Sequence, residues 1–347
     1  MGFVNVLIVL AIYLVGLALS GALFYVAFSP VSRTRPVLGL VLLTIIRALV
    51  AIILLTPLIV MASPLPSTFF PYIVGKAVYS RTLVEIAFGL WVVLSLRHPR
   101  YRMPRSWLLP LFGAYVAAAL LASIFGVSPQ RSIWSTYERM QGFVDLAHWM
   151  AFVVVTVAVF RSWLDWRPLL NFNLGVSLLL GLLGIAQHQD IEFFSFLSSG
   201  ARVDITLGNP TYVGAYMLVN MMLALGFLAR SLAGPLETEE GVVTTSRRGA
   251  RTAKARRRVR SRKRMTTRKP FYIVPEAVWR MFWASVAVIN LGVLWQSGTR
   301  GALFGLFIAS FVLLLGYLVW GRVRLLKVAA IGSLGFIVVV ALTFVSI

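Results

Sequence analysis

Polar residues along this chain fall in short clusters, separated by apolar runs of roughly 18 to 25 residues, each long enough to cross a bilayer as a helix. The runs lie at 4–28, 37–61, 72–96, 107–125, 143–160, 168–187, 210–229, 276–296, 301–320 and 325–347. A segment alone in hydrocarbon must satisfy its own backbone. These runs also lack the two-residue alternation of barrel strands, so each predicts a helix. The expected fold class is an all-α polytopic integral membrane protein, about ten transmembrane helices in a single membrane domain covering residues 1–347.

The loops between the runs alternate in charge. Arg33 and Arg35, then Arg97, Arg100, Arg102 and Arg105, then Arg161 and Arg167, then a dense basic stretch at 247–269, then Arg322, Arg324 and Lys327 occupy every second loop. The positive-inside bias makes those loops cytoplasmic, and an even number of spans puts both termini outside. The first run has no basic segment before it and reads as a retained span, not a cleaved signal peptide. On the opposite side only Arg131, Arg139, Arg202 and Arg300 carry fixed positive charge, so topology does not account for these four arginines.

A hydrophobic fraction of 59% with 13% charged residues excludes a soluble globular domain. Half of the formal charge of +22 comes from 230–269, which holds fourteen basic and three acidic residues. The segment 231–275, rich in Thr, Ser, Gly and Arg, has little to bury and is expected to be a largely disordered cytoplasmic loop. Its run Arg256-Arg-Arg-Val-Arg-Ser-Arg-Lys-Arg264 has no interleaved aromatics, which points to anionic lipid as its partner and away from nucleic acid. With no cysteine there is no disulfide framework or thiol nucleophile. No carboxylate cluster suggests a metal, and no cofactor is implied.

Two short motifs mark the arginine-poor side. In Arg202-Val-Asp-Ile-Thr-Leu-Gly208-Asn209-Pro210-Thr-Tyr212, a Gly-Asn-Pro turn enters a helix whose first-turn amides favour an anion, and Arg202 adds donors for phosphate. The plainer alternative is an entry turn with Arg202 paired to Asp204. In Gln296-Ser297-Gly298-Thr299-Arg300-Gly301, an arginine sits at the membrane boundary in a turn of small residues, where it either serves a site or snorkels.

Taken in order, Gly208-Asn209-Pro210-Thr211-Tyr212 and Ser297-Gly298-Thr299-Arg300-Gly301 resemble the O-antigen ligase family of membrane glycosyltransferases, which includes polymerases and protein O-oligosaccharyltransferases. Phe70-Pro71-Tyr-Ile-Val-Gly75-Lys76, Arg81-Thr-Leu-Val-Glu85 and Trp134-Ser-Thr-Tyr-Glu138-Arg139-Met140 extend the resemblance over most of the chain. The resemblance implies a C-type membrane glycosyltransferase in a bacterial inner membrane, working in cell-surface polysaccharide synthesis. The implied reaction moves a glycan from an undecaprenyl-diphosphate donor to an acceptor hydroxyl on the outer face. Arg202 and Arg300 would grip the diphosphate, supported by Gly208, Asn209, Pro210, Tyr212, Lys76 and Arg139. The family's outer-loop histidine, its proposed general base, follows the span that comes after the second arginine's helix. Here His98 lies in a cytoplasmic loop, while His148 and His188 precede both motifs. The chain alone is therefore expected to bind a lipid-linked glycan and to transfer it slowly or not at all, unless a downstream segment or second chain supplies the base.

Glu138 and Asp145 are the remaining base candidates, beside Trp134 and Tyr137, which are placed to stack on sugar or to form the ordinary interfacial belt. Within the third run, Arg81 and Glu85 stand four residues apart and are expected to form a structural ion pair. Two other readings stay open: a lipid-glycan binding subunit without catalysis, and a transporter or flippase.

Overall fold

In the computed structural model, residues 36–59, 72–136, 139–189, 202–232, 275–320, 331–332 and 335 are described. Their regular elements are all helical: α1 (Pro36–Ile53), α2 (Val74–Arg97), α3 (Leu108–Phe125), α4 (Pro129–Trp134), α5 (Phe143–Val159), α6 (Trp163–His188), α7 (Pro210–Leu232), α8 (Glu276–Gln296) and α9 (Arg300–Trp320). Among the described residues, α2, α3, α6, α7 and α8 are long and apolar enough to cross a bilayer, and the chain is a multi-pass helical membrane protein. The expected spans at 4–28 and 325–347, the latter apart from three residues, lie outside the described residues, as do 233–274 of the basic loop.

Two expected boundaries are corrected. The run 37–61 does not continue as one helix: α1 ends at Ile53 and a 3-10 turn follows at Thr56–Leu58. Pro57 is the cause, since its ring clashes with the carbonyl four residues back and it has no N–H to donate. The run at 168–187 starts earlier, at Trp163, because Ser162 and Asp165 form a reciprocal cap. The Ser162 side chain accepts from the Asp165 amide, while the Asp165 carboxylate accepts from the Ser162 amide at 3.1 Å. That cap places Pro168 inside the helix.

The chain divides into two compact units, Met1–Gly214 with Gln296–Thr299, and Ala215–Trp295 with Arg300–Ile347. In the first, α1, α2 and α5 share a core in which Ile46, Val50, Leu94, Ala158 and Val159 are each 0% exposed. Lipid is as apolar as these side chains, so the seam is held by close packing and by polar ties, not by exclusion of water. α1 and α2 run antiparallel: the Tyr79 hydroxyl donates to the Ile52 carbonyl near one end, and Gly39 lies against His98 near the other. Arg47, inside α1, donates to the Val159 carbonyl at 2.7 Å, pairs with Asp165 at 2.8 Å and lies over the Phe160 ring. This arginine closes the C-terminal end of α5, where carbonyls carry partial negative charge. The α3 helix shows the reverse of a water-soluble pattern, with Trp107 85% and Phe125 83% exposed at its two ends and Leu111 and Leu121 exposed between them. Such a face suits hydrocarbon.

In the second unit Phe227 stacks on Trp283 at 5.2 Å, with Trp283 itself 1% exposed. Arg280 donates to the Ser231 hydroxyl at 2.7 Å and to its carbonyl at 3.0 Å, and Ser231 donates to Glu276. The end of α7 and the start of α8 are thereby tied, so both ends of the basic segment are anchored side by side.

Candidate functional site: a clamped loop at the ends of the helices

Residues 202–210 form an irregular stretch that returns to regular helix at Pro210. Its backbone is fixed at nearly every step within the first unit. The Gln187 side-chain oxygen accepts from the Ile205 amide at 2.9 Å, which sets the side-chain amide so that its nitrogen donates to Asp204 at 2.8 Å. The Lys76 ammonium donates to the Tyr72 carbonyl at 3.1 Å and to the Thr206 carbonyl, and it lies over the Tyr72 ring. The Thr206 hydroxyl donates to the Pro57 carbonyl at 2.7 Å. Gly208 has φ 66°, and a Cβ there would stand 2.8 Å from Tyr72 Cβ, so glycine is required both by conformation and by space. Ile205 is β-branched yet has φ 47°. Backbone held that way costs on the order of 1–3 kcal/mol and persists only where the surroundings over-determine it. The bonds from Gln187, Lys76 and Thr206 on either side do so.

The second motif meets this loop directly. Arg202 Nε donates to the Ser297 carbonyl at 2.8 Å, while Nη2 donates to the Gly298 carbonyl at 3.0 Å and to the Thr299 hydroxyl at 3.4 Å. These are carbonyls at the C-terminal end of α8, which Gly298 terminates with φ 57°. The Thr299 hydroxyl donates to the Pro210 carbonyl at 2.9 Å and accepts from Ser297 at 3.1 Å. Ser297 is 0% and Thr299 5% exposed, so the joint is dry. Arg202 is exposed, and Nη1 has no partner among the described residues. One edge of the guanidinium is spent on the turn and the other is open. Among the described residues no carboxylate shares it: Asp204 turns to Gln187, so the Arg202–Asp204 pair of the plainer alternative does not form.

No family model matches the chain, and neither does any curated protein or solved structure.

The other expected site residues fall in several places. Asn209 caps α7, its side chain accepting from the Thr211 amide at 2.8 Å while its carbonyl accepts from the Tyr212 amide at 3.0 Å and the Val213 amide at 3.2 Å. The expectation of free first-turn amides facing an anion is therefore corrected, since Pro210 has no N–H and the next three are taken. Tyr212 is 46% exposed. Arg300 is the exposed first residue of α9 and belongs to the second unit. Arg139 is exposed, while Tyr137 and Glu138 lie outside the described residues.

Arg81 and Glu85 do not pair with each other. Arg81 Nη2 pairs with Asp145 at 3.0 Å and also donates to the Met140 carbonyl, and Glu85 meets His148 at 2.9 Å. Both partners lie on α5, because that helix packs against the face of α2 that carries Arg81 and Glu85. The Trp149 indole donates to the other Asp145 oxygen at 3.1 Å, so both oxygens of this base candidate are occupied. The loop before α5 is held just as firmly: a Cβ on Gly142 would stand 2.3 Å from the Ile133 carbonyl oxygen.

Gln187, Tyr72, Pro57 and Asp204 were not singled out from sequence as supports of this loop. Gln187 offered a signal, a glutamine near the end of an apolar run, where burial without a partner is costly. Gly298 yields a direct test. A Cβ there would meet Arg202 Nε at 3.2 Å in a backbone conformation that disfavours side chains. Gly298→Ala is expected to destabilise the protein by about 1–2 kcal/mol and to loosen Arg202 from the turn. Unfolding in detergent measures the first effect and anion binding the second. Unchanged values for both would show that the turn does not position Arg202.

Proposed function

We propose that this protein binds a lipid-linked diphosphate glycan and transfers the glycan to an acceptor hydroxyl, in the manner of the O-antigen ligase family. The observation that carries the reading is the placement of Arg202. Its Nε and Nη2 are fixed on the Ser297 and Gly298 carbonyls and its Nη1 edge is exposed. A guanidinium already immobilised loses little further freedom on meeting an anion, and hydrogen bonds from a cation to an anionic oxygen are the strong ones. The two motifs that carry the family resemblance are bonded to each other through Arg202 and Thr299. The family resemblance implies a second cation, Arg300, which belongs to the second unit.

In the proposed reaction the acceptor oxygen attacks the anomeric carbon, and the bond from that carbon to the diphosphate oxygen breaks. The departing diphosphate gains negative charge as it leaves, and a fixed cation directed at that oxygen favours the transition state over the bound donor. Ten spans with the arginine-rich loops inside would put this site on the outer face of a bacterial inner membrane, where lipid-linked glycans are consumed. The test is binding by the full chain in nanodiscs. Undecaprenyl diphosphate is expected to bind at least tenfold more tightly than undecaprenol, and inorganic diphosphate to compete. Equal binding of the two lipids would overturn the reading.

A further inference from the structure

The sequence leaves the proposed transfer without an obvious proton acceptor; of its two base candidates, Glu138 lies outside the described residues and Asp145 has its oxygens taken by Arg81 and Trp149. Glu85 is engaged by His148 and Asp165 by Arg47, while Glu276 is tied to Ser231 in the second unit. We propose that Asp204 is the general base that accepts the acceptor hydroxyl's proton. This rests on the functional reading above.

Three observations carry it. First, no described lysine, arginine or histidine lies within ion-pair distance of Asp204, and its one side-chain bond comes from a neutral amide, Gln187 Nε2 at 2.8 Å to Oδ1. That amide cannot reverse, because its oxygen is committed to the Ile205 amide, so Gln187 always presents a donor and Asp204 always accepts. Oδ2 has no partner among the described residues and is open to a proton. Secondly, Val203 is 2% exposed, whereas Arg202 on one side is exposed and Asp204 on the other is half-buried. Asp204 therefore keeps access to solvent on the same short pinned segment as Arg202, with the diphosphate grip and the carboxylate two residues apart in sequence. Thirdly, the backbone next to Asp204 is strained at Ile205 and pinned on both sides. Backbone of this kind, costing on the order of 1–3 kcal/mol, concentrates where a side chain must be aimed.

The step balances without a co-reactant. The acceptor O–H bond breaks and its proton passes to Asp204 Oδ2. The oxygen forms the new bond to the anomeric carbon, and the electron pair of the broken carbon–oxygen bond leaves on the diphosphate. The protonated carboxyl then returns its proton to water. Lys76 does not take this role, since its ammonium donates to the Tyr72 and Thr206 carbonyls and has no lone pair with which to accept a proton.

The experiment uses the full chain in nanodiscs, with undecaprenyl-diphosphate-linked N-acetylglucosamine as donor and molar glycerol as the hydroxyl. It reads donor binding and release of undecaprenyl diphosphate separately. Asp204→Asn keeps the volume and the acceptor for Gln187, so donor affinity is expected to stay within about threefold while release falls by about 10²- to 10⁴-fold, the usual contribution of a general base. Asp204→Ala with added formate guards against misfolding of a single variant: formate restores part of the rate if a carboxylate is the missing group, and a structural loss is not rescued. Release by Asp204→Asn at the wild-type rate would overturn Asp204 as the base and leave the functional reading standing. Donor binding without release by the wild-type chain would overturn Asp204 as the base together with the transfer step of the functional reading, leaving donor binding alone. Absence of donor binding by the wild-type chain would overturn the functional reading and this inference with it.

Discussion

Replacing Arg202 by alanine is expected to raise the dissociation constant for undecaprenyl diphosphate by about 10- to 100-fold. A hydrogen bond to a charged group contributes about 1.5–3 kcal/mol, and each 1.4 kcal/mol is a factor of ten. Two effects combine in that number. The ligand loses the Nη1 edge, and the Ser297 and Gly298 carbonyls lose the donors that fix the turn. Arg202→Lys separates them. A lysine carries the charge on a single ammonium and has no planar fork, so it must either hold a carbonyl or meet the anion. Its affinity is expected to fall between wild type and alanine, with a weaker dependence on the diphosphate over the monophosphate. Binding by Arg202→Ala within twofold of wild type would remove Arg202 from the site.

Much of the helix plan is written in the hydrophobic pattern. The runs at 107–125, 143–160, 276–296 and 301–320 correspond within one residue to α3, α5, α8 and α9, since a bilayer-crossing segment has no partner but itself for its backbone. Where the pattern fails, the cause is local chemistry that hydropathy does not register. Pro57 ends α1 eight residues before the apolar run does, and the Ser162–Asp165 cap lengthens α6 into a stretch that looks like a loop. The short helix α4 lies in a polar loop with no periodicity to announce it.

The candidate site was legible in its motifs but not in its wiring. Arg202 and the Ser297–Thr299 turn could be singled out as charge and small residues on a side that lacks arginine. That one bonds to the other's carbonyls depends on a contact about a hundred residues apart, and a single sequence does not encode such a pairing. The same limit explains Arg81 and Glu85. Their four-residue spacing allows a pair on one helical face, but that face is buried against α5, where Asp145 and His148 offer closer partners. Arg47, in the middle of an apolar run, was passed over because its carbonyl and carboxylate partners come from α5 and α6.

Removing Arg81 is expected to be among the most destabilising single changes in the first unit. Its side chain is 12% exposed and its partner Asp145 24%, and besides that pair it supports the Met140 carbonyl at the base of the loop before α5. Arg81→Met leaves a carboxylate with only the Trp149 indole for company and a carbonyl with no donor. Breaking such a pair from one side typically costs about 3–5 kcal/mol, far more than the pair contributes over an apolar replacement of equal volume. The double variant Arg81→Met, Asp145→Leu removes both charges and is expected to cost much less than the sum of Arg81→Met and Asp145→Leu measured alone. Unfolding in detergent, followed by tryptophan emission, gives all four corners of this cycle. Additive losses would mean that α2 and α5 are held by their apolar seam alone, and that the loop carrying Arg139 owes nothing to the ion pair beneath it.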